Sequence, residues 1–138
     1  MEILLVEDSL VAARMTTGAL ARSKIDHRLT WLSDGEEARQ FLLQTGKYSR
    51  APHPDLILLD LHLPEVDGKT LLRELRQRPM LRHVPTVIMT GTIEESELAE
   101  IQSLDVQGVL MKPVNLDQFM SLVGKLKGYW KTGMIVQG

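Results

Sequence analysis

A chain of 138 residues without a single cysteine can carry neither disulfides nor thiolate metal sites, and at this length one hydrophobic core is enough to hold it folded. A formal charge of −2 argues against a nucleic-acid-binding or polybasic membrane surface, and no apolar run approaches the ~18 residues that span a bilayer. Met1 leads almost directly into an apolar segment, which fits neither a secretory signal nor a transit peptide, so a soluble, cytoplasmic domain is expected.

Ile3-Leu-Leu-Val6 reads as the first strand, an unbroken apolar run of the kind found where both faces of a sheet are covered. It runs into Glu7-Asp8. Asp8 and Ser9 cap the next helix, on which Val11, Met15 and Ala19 recur on one face, and Gly18 costs that helix about 1 kcal/mol relative to alanine. Arg28 to Leu32 alternates as a second strand and closes at Ser33-Asp-Gly35. Ala38, Phe41 and Leu42 mark a second helix that stops near Gly46, and Lys47 to Pro54 has turn composition. The third strand is Asp55-Leu-Ile-Leu-Leu-Asp60. Gly68, Leu71, Leu72 and Leu75 then recur at helical spacing behind an Asp67 cap, and Pro79 ends that helix. Val84 to Met89 is the fourth strand, with Pro85 admissible only at its beginning. Glu94 to Leu104 reads as a weak helix anchored by Leu98 and Ile101. Gln107 to Met111 is a fifth strand, and Leu116, Phe119, Met120 and Val123 make a last helix capped by Asn115. Strands alternating with helices in this way predict an α/β domain: a five-stranded parallel sheet with right-handed crossovers, doubly wound by helices on both faces.

Four of the five strands end in residues that carry chemistry: Glu7 and Asp8 after the first, Asp60 closing the third, Thr90 after the fourth and Lys112 after the fifth. Open α/β sheets bind their ligands at this carboxyl edge. Three carboxylates gathered there tolerate one another only if a cation joins them, and Mg²⁺ takes one or two carboxylates along with waters and phosphate oxygens. Asp60 in that setting is a carboxylate nucleophile for phosphorus, with the cation, Thr90 and Lys112 stabilising the transferred group and Gly91 leaving it room. Each residue alone has a plainer reading. Glu7 and Asp8 cap a helix, Asp60 is a turn residue, Thr90 is a buried hydroxyl bonded to backbone, and Lys112 is a solvated strand-end lysine. Their coincidence at one edge favours a site. The histidines (His27, His53, His62 and His83) show no converging pattern, which argues against a histidine metal centre. His62 lies nearest the expected mouth; for it and Thr92 surface filling is the favoured reading, and tuning the approach of water the alternative.

The ordered set Leu4-Leu-Val-Glu-Asp8, Asp55-Leu-Ile-Leu-Leu-Asp60, Leu63-Pro64, Asp67-Gly68, Met89-Thr90-Gly91 and Lys112-Pro113 resembles the receiver domain of two-component response regulators over nearly the whole chain. The resemblance implies the flavodoxin-like (βα)5 fold with strand order 2-1-3-4-5, a receiver over residues 1–127, a tail over 128–138 and no output domain. It implies Asp60 as the phosphoacceptor and Asp8 with Asp60 as direct Mg²⁺ ligands. Glu7 would hold the metal's waters, and the His62 backbone carbonyl would supply another ligand. Thr90 and Lys112 would contact the phosphoryl group, and the Lys112–Pro113 bond would be cis. The phosphoryl group would come from a phosphohistidine on a sensor histidine kinase. Such a domain catalyses its own phosphorylation and dephosphorylation and is a signalling module rather than an enzyme.

The long Gly46–Pro54 connection and the tail Gly128-Tyr-Trp-Lys-Thr-Gly-Met-Ile-Val136 resemble those of stand-alone regulators that partner phytochromes. They imply a phytochrome-type kinase as partner and a homodimer through strand five, the last helix and the tail, with Tyr129 and Trp130 at an interface. One residue departs from the family pattern: Val109 stands where receivers usually carry the aromatic of their conformational relay, and valine is stiff at χ1. Two other classes compete. An aspartate-nucleophile phosphatase of the haloacid dehalogenase type carries a second acid two residues after the nucleophile, where this chain has His62, and a cap domain for which it has no residues. A receiver-like scaffold that ignores phosphate is favoured by Val109 and opposed by the complete set of acids, hydroxyl and ammonium. Neither glycine-rich nucleotide fingerprint occurs.

Overall fold

The computed structural model describes residues 1–126. In chain order the elements are β1 (Glu2–Val6), α1 (Leu10–Arg22), β2 (Arg28–Leu32), α2 (Gly35–Leu43), β3 (Leu56–Asp60), α3 (Gly68–Gln77), β4 (Thr86–Thr90), α4 (Glu95–Gln102), β5 (Gly108–Met111) and α5 (Leu116–Lys125). All strand pairs are parallel and the sheet order is β2-β1-β3-β4-β5, as the resemblance implied. Every residue of β3 and β4 is buried, whereas the edge strands β2 and β5 keep exposed positions. This is why the central strands read as solid apolar runs and the outer ones do not.

Alternate residues along each strand feed two separate cores. Ile3, Leu5, Leu56, Leu58, Val87, Met89 and Leu110 meet α1 and α5 on one face. Leu4, Val6, Ile57, Leu59 and Ile88 meet Ala38, Phe41, Leu42, Leu71, Leu72, Leu75 and Ile101 of α2, α3 and α4 on the other. Ser9, Asp67 and Asn115 cap their helices as expected, each accepting a backbone N–H three residues on. Ser9 rather than Asp8 is the cap of α1, and Asp34, read only as the close of the second strand, caps α2 in the same way.

The buried face of α1 differs from expectation. Ala13, Thr16, Ala19 and Leu20 face the core, while Val11 is 70% exposed and Met15 42% exposed. Small residues let α1 lie close on the sheet, and its larger apolar side chains are left outside. A further difference lies after α2, which ends on Gln44 in the left-handed conformation, followed by a 3₁₀ turn over Gly46–Tyr48 inside the stretch read as plain turn. Tyr48 packs edge-on against Phe41 at 5.5 Å between ring centres and donates its hydroxyl to Glu37, which also pairs with Lys47 at 2.6 Å. The loop is thus pinned to α2. β4 begins at Thr86, after Val84 and Pro85, so the proline stays out of the strand.

Helix α4 is the weakest element, as its composition foretold. Ile101 is its one buried residue, and Leu98 is only half-buried. Charge fastens it instead. Lys69 of α3 reaches Glu97 at 3.3 Å and Glu100 at 3.8 Å, Arg73 pairs with Glu100, and Arg76 donates to the carbonyls of Leu104 and Asp105 just beyond α4 and to that of Val84 before β4. None of the described helices is long and apolar enough to cross a membrane. The expected tail, with Tyr129 and Trp130, lies outside the described residues.

Candidate functional site

Register assembles the site. Leu5 pairs with Leu58 and Val6 with Leu59, so the residue after β1, Glu7, and the last residue of β3, Asp60, emerge side by side at the carboxyl edge. Asp60 pairs with Met89 and Thr90 with Met111, which places Thr90 and then Lys112 along the same edge. The ladder runs past the strand ends: Glu7 N donates to Leu32 O at 3.0 Å, Leu61 N to Met89 O at 3.0 Å and Lys112 N to Thr90 O at 2.8 Å. The backbone on which each side chain stands is therefore hydrogen-bonded.

Two glycines bring the surrounding loops in. A Cβ on Gly68 would lie 2.4 Å from the Asp60 carbonyl oxygen and 2.8 Å from that of Leu61. Only glycine lets the start of α3 approach the end of β3 this closely, and Gly68 N donates back to Leu61 O at 3.0 Å. Gly35, at the start of α2, similarly meets the Val66 carbonyl. Gly91 has a different setting, since a Cβ there would meet nothing within 4 Å.

Glu7, Asp8 and Asp60 offer carboxylate oxygens that all lie within 4.8 Å of one another. Glu7 and Asp60 are buried and Asp8 is exposed. Lys112 bridges the first two, its Nζ lying 2.6 Å from Glu7 Oε1 and 3.1 Å from Asp60 Oδ2. Glu7 Oε1 is fully buried, and among the described residues the Lys112 ammonium is the donor group against it. Asp60 Oδ1 accepts the His62 backbone N–H at 3.1 Å, and Glu7 Oε2 accepts that of Ser9 at 3.2 Å.

Burial dominates the electrostatics of Glu7. It pushes the carboxyl up to about 7, helped by neighbouring Asp60 and opposed by Lys112 and the Ser9 amide. Burial alone would lower Lys112, but its hydrogen bonds and attraction to Glu7 and Asp60 outweigh that and raise it. Two buried acids share one ammonium here with the exposed Asp8 beside them, and one of the two holds a proton near neutrality. An all-oxygen set with excess negative charge fits a hard divalent cation.

The remaining expected residues are placed as follows. Thr90 is buried at the end of β4, and its hydroxyl donates to the Thr92 carbonyl at 2.7 Å rather than pointing at Asp60. The His62 side chain is exposed and leans toward α4, with Nε2 3.9 Å from Glu97 Oε1. The Lys112–Pro113 peptide is cis. Val109 is half-buried and packs into the second core. One residue beside the site was not anticipated: the Trp31 indole N–H donates to the Glu7 carbonyl at 2.7 Å. An aromatic in an alternating edge strand reads as packing, and nothing in its spacing points to Glu7.

The profile of the response regulator receiver domain matches residues 3–124. The chain belongs to this family. It is 41% identical over 128 residues to the response regulator Rcp1 of Synechocystis sp. (strain ATCC 27184 / PCC 6803 / Kazusa), an alignment covering 93% of this chain and 87% of that protein. Among solved structures, this receiver resembles the Mn²⁺-bound form of Rcp1 with a TM-score of 0.80, 38% identity and 99% of each chain covered. It also resembles the phosphorylated cyanobacterial phytochrome response regulator RcpA, with a TM-score of 0.79, 37% identity and 94% of this chain and 92% of that one covered.

Proposed function

We propose that this receiver takes a phosphoryl group onto Asp60 from the phosphohistidine of a partner sensor kinase of the phytochrome type, in the cytoplasm, with Mg²⁺ as cofactor. The observation that carries the reading is Lys112 Nζ lying between Glu7 and Asp60 inside a three-carboxylate cluster. The Mn²⁺ bound to Rcp1 and the phosphoryl group on RcpA support it by likeness.

Asp8 and Asp60 would hold the cation directly, Glu7 would act through its waters, and the His62 carbonyl would complete the set. Bound there, Mg²⁺ would neutralise the acids and draw charge from phosphoryl oxygens. An Asp60 carboxylate oxygen attacks phosphorus, the bond from phosphorus to the donor's imidazole nitrogen breaks, and its electron pair stays on the imidazole. Lys112 then turns from carboxylates to phosphoryl oxygen. Thr90 completes the contact by exchanging its Thr92 carbonyl for a phosphoryl oxygen, which frees the 91–93 loop to move. The domain catalyses this transfer and its hydrolytic reversal on itself. Reaction of the metal-loaded chain with a small phosphodonor should add the mass of one phosphoryl group, and Asp60→Asn should add none; an undiminished gain in that variant sinks the assignment.

The donor's route runs beside α1. Leu10, Val11 and Met15 stand exposed there, and Val11 and Met15 line a groove with Lys112, Pro113 and Val114 that continues from the site. An apolar rim adjoining the nucleophile suits a kinase helix that presents its phosphohistidine. The domain covers residues 1–127, followed by the tail 128–138, and pairs with a second copy through β5, α5 and the tail. The exposed Met111 on edge strand β5 supports that surface.

A further inference from the structure

We propose that Trp31 is a positioning residue of the cation site, holding the peptide from which two of its carboxylates project. This inference rests on the reading of Glu7, Asp8 and Asp60 as a Mg²⁺ site and adds a residue that the acids themselves do not reveal.

Trp31 sits near the end of β2, an edge strand, and is 41% exposed, whereas its neighbour Leu32 is buried. Half-exposed aromatic area contributes little packing there, so the hydrogen bond is the distinctive contact. The indole N–H reaches the Glu7 carbonyl at 2.7 Å, while the Glu7 N–H is held by Leu32 O at 3.0 Å. β2 thus grips both polar groups of Glu7, one with its backbone and the other with a side chain. After Leu32 the chain turns away into α2, and the indole provides a donor just where strand pairing ends.

The grip matters because the Glu7 carbonyl belongs to the peptide linking Glu7 to Asp8. Its orientation sets the direction in which Asp8 leaves the strand. Glu7 is fixed by burial, but Asp8 is the exposed member of the cluster and has less packing to hold it. Fixing the peptide plane keeps Asp8 within reach of Asp60 before a cation arrives, so less ordering is needed on binding. The chemical step at Asp60 does not use the indole.

The test is calorimetric Mg²⁺ titration of the full chain as wild type, Trp31→Phe and Trp31→His, with thermal unfolding in metal-free buffer alongside. Phenylalanine keeps an aromatic ring without the donor; histidine can place Nε2–H where the indole N–H lies. Trp31→Phe should bind Mg²⁺ about three- to tenfold more weakly, the worth of one net hydrogen bond, and Trp31→His should recover to within about twofold of wild type. Phosphorylation by a small phosphodonor should need correspondingly more Mg²⁺ in Trp31→Phe, with its rate at saturating Mg²⁺ unchanged. Unaltered Mg²⁺ affinity in Trp31→Phe overturns the proposal, and so does equal weakening in both variants, which would assign the effect to ring packing. Failure of the wild type to bind Mg²⁺ would instead overturn the site reading, and this inference with it.

Discussion

Glu7 is enclosed by protein yet must be an anion whenever a cation sits beside it, and that tension makes the free domain sensitive to pH. Its carboxyl titrates near 7 in the folded chain against an ordinary value of 4.5, so the folded state binds the proton more tightly than the unfolded one. The resulting stabilisation is complete below pH 4.5 and is lost as pH rises through 7, amounting to ~3 kcal/mol at about 1.4 kcal/mol per unit. Urea unfolding of metal-free protein at pH 5 and pH 8 should show this loss, and Glu7→Gln, neutral throughout, should lack this component. Equal slopes for both proteins would rule Glu7 out as its source. Mg²⁺ binding near neutrality should also expel part of a proton, which titration calorimetry in buffers of different ionisation enthalpy measures directly. The acids, Thr90 and Lys112 were legible because each closes an apolar strand. The direction of the Thr90 hydroxyl and the reach of Trp31 were not, since both depend on side-chain torsions and on a strand far away in sequence.

At the level of elements, glycines in similar helical settings should respond in opposite ways. Gly68→Ala places a methyl against the Asp60 and Leu61 carbonyls, so a loss of ~1–3 kcal/mol and slower phosphorylation are expected. Gly124→Ala in α5 meets nothing within 4 Å and should gain up to ~1 kcal/mol. Chemical denaturation of both variants decides the contrast. Helix α1 offers a separate test. Val11→Glu with Met15→Glu should leave stability within ~0.5 kcal/mol, because both side chains are exposed. Labelling by a small phosphodonor should persist while transfer from a histidine kinase falls at least about tenfold, the worth of ~1.4 kcal/mol at the encounter. Undiminished kinase transfer would place the donor elsewhere. The same helix shows where periodicity misleads. Val11, Met15 and Ala19 make a plausible stripe by hydrophobicity, but Ala13, Thr16, Ala19 and Leu20 form the contact because close approach selects for size as well as polarity.

Across the whole molecule, the sheet was the easiest part to anticipate. Parallel strands buried on both faces leave unbroken apolar runs, and β3 and β4 are solid in this way; strand number and direction followed from five strand segments alternating with helices. Lateral order did not, because it is a matter of long-range pairing; the family resemblance supplied it. The 3₁₀ turn at Gly46–Tyr48 escaped because its support comes from Phe41 and Glu37 rather than from its own residues. A ligand that binds only the folded chain raises global stability, so Mg²⁺ at a hundred times its dissociation constant should add ~2.7 kcal/mol, and Asp8→Asn should forfeit most of that gain. Denaturation with and without the ion measures both. The manner in which α4 is fastened has a consequence of its own. Ionic strength weakens solvent-accessible Lys–Glu and Arg–Glu pairs, the partly buried ones less than the exposed, but barely touches buried leucines. In concentrated brine, amide protons of Glu95–Gln102 should therefore exchange with deuterium sooner, while those of Gly68–Gln77 and the sheet keep their protection. Ionic strength would then set how readily this flank of the domain opens.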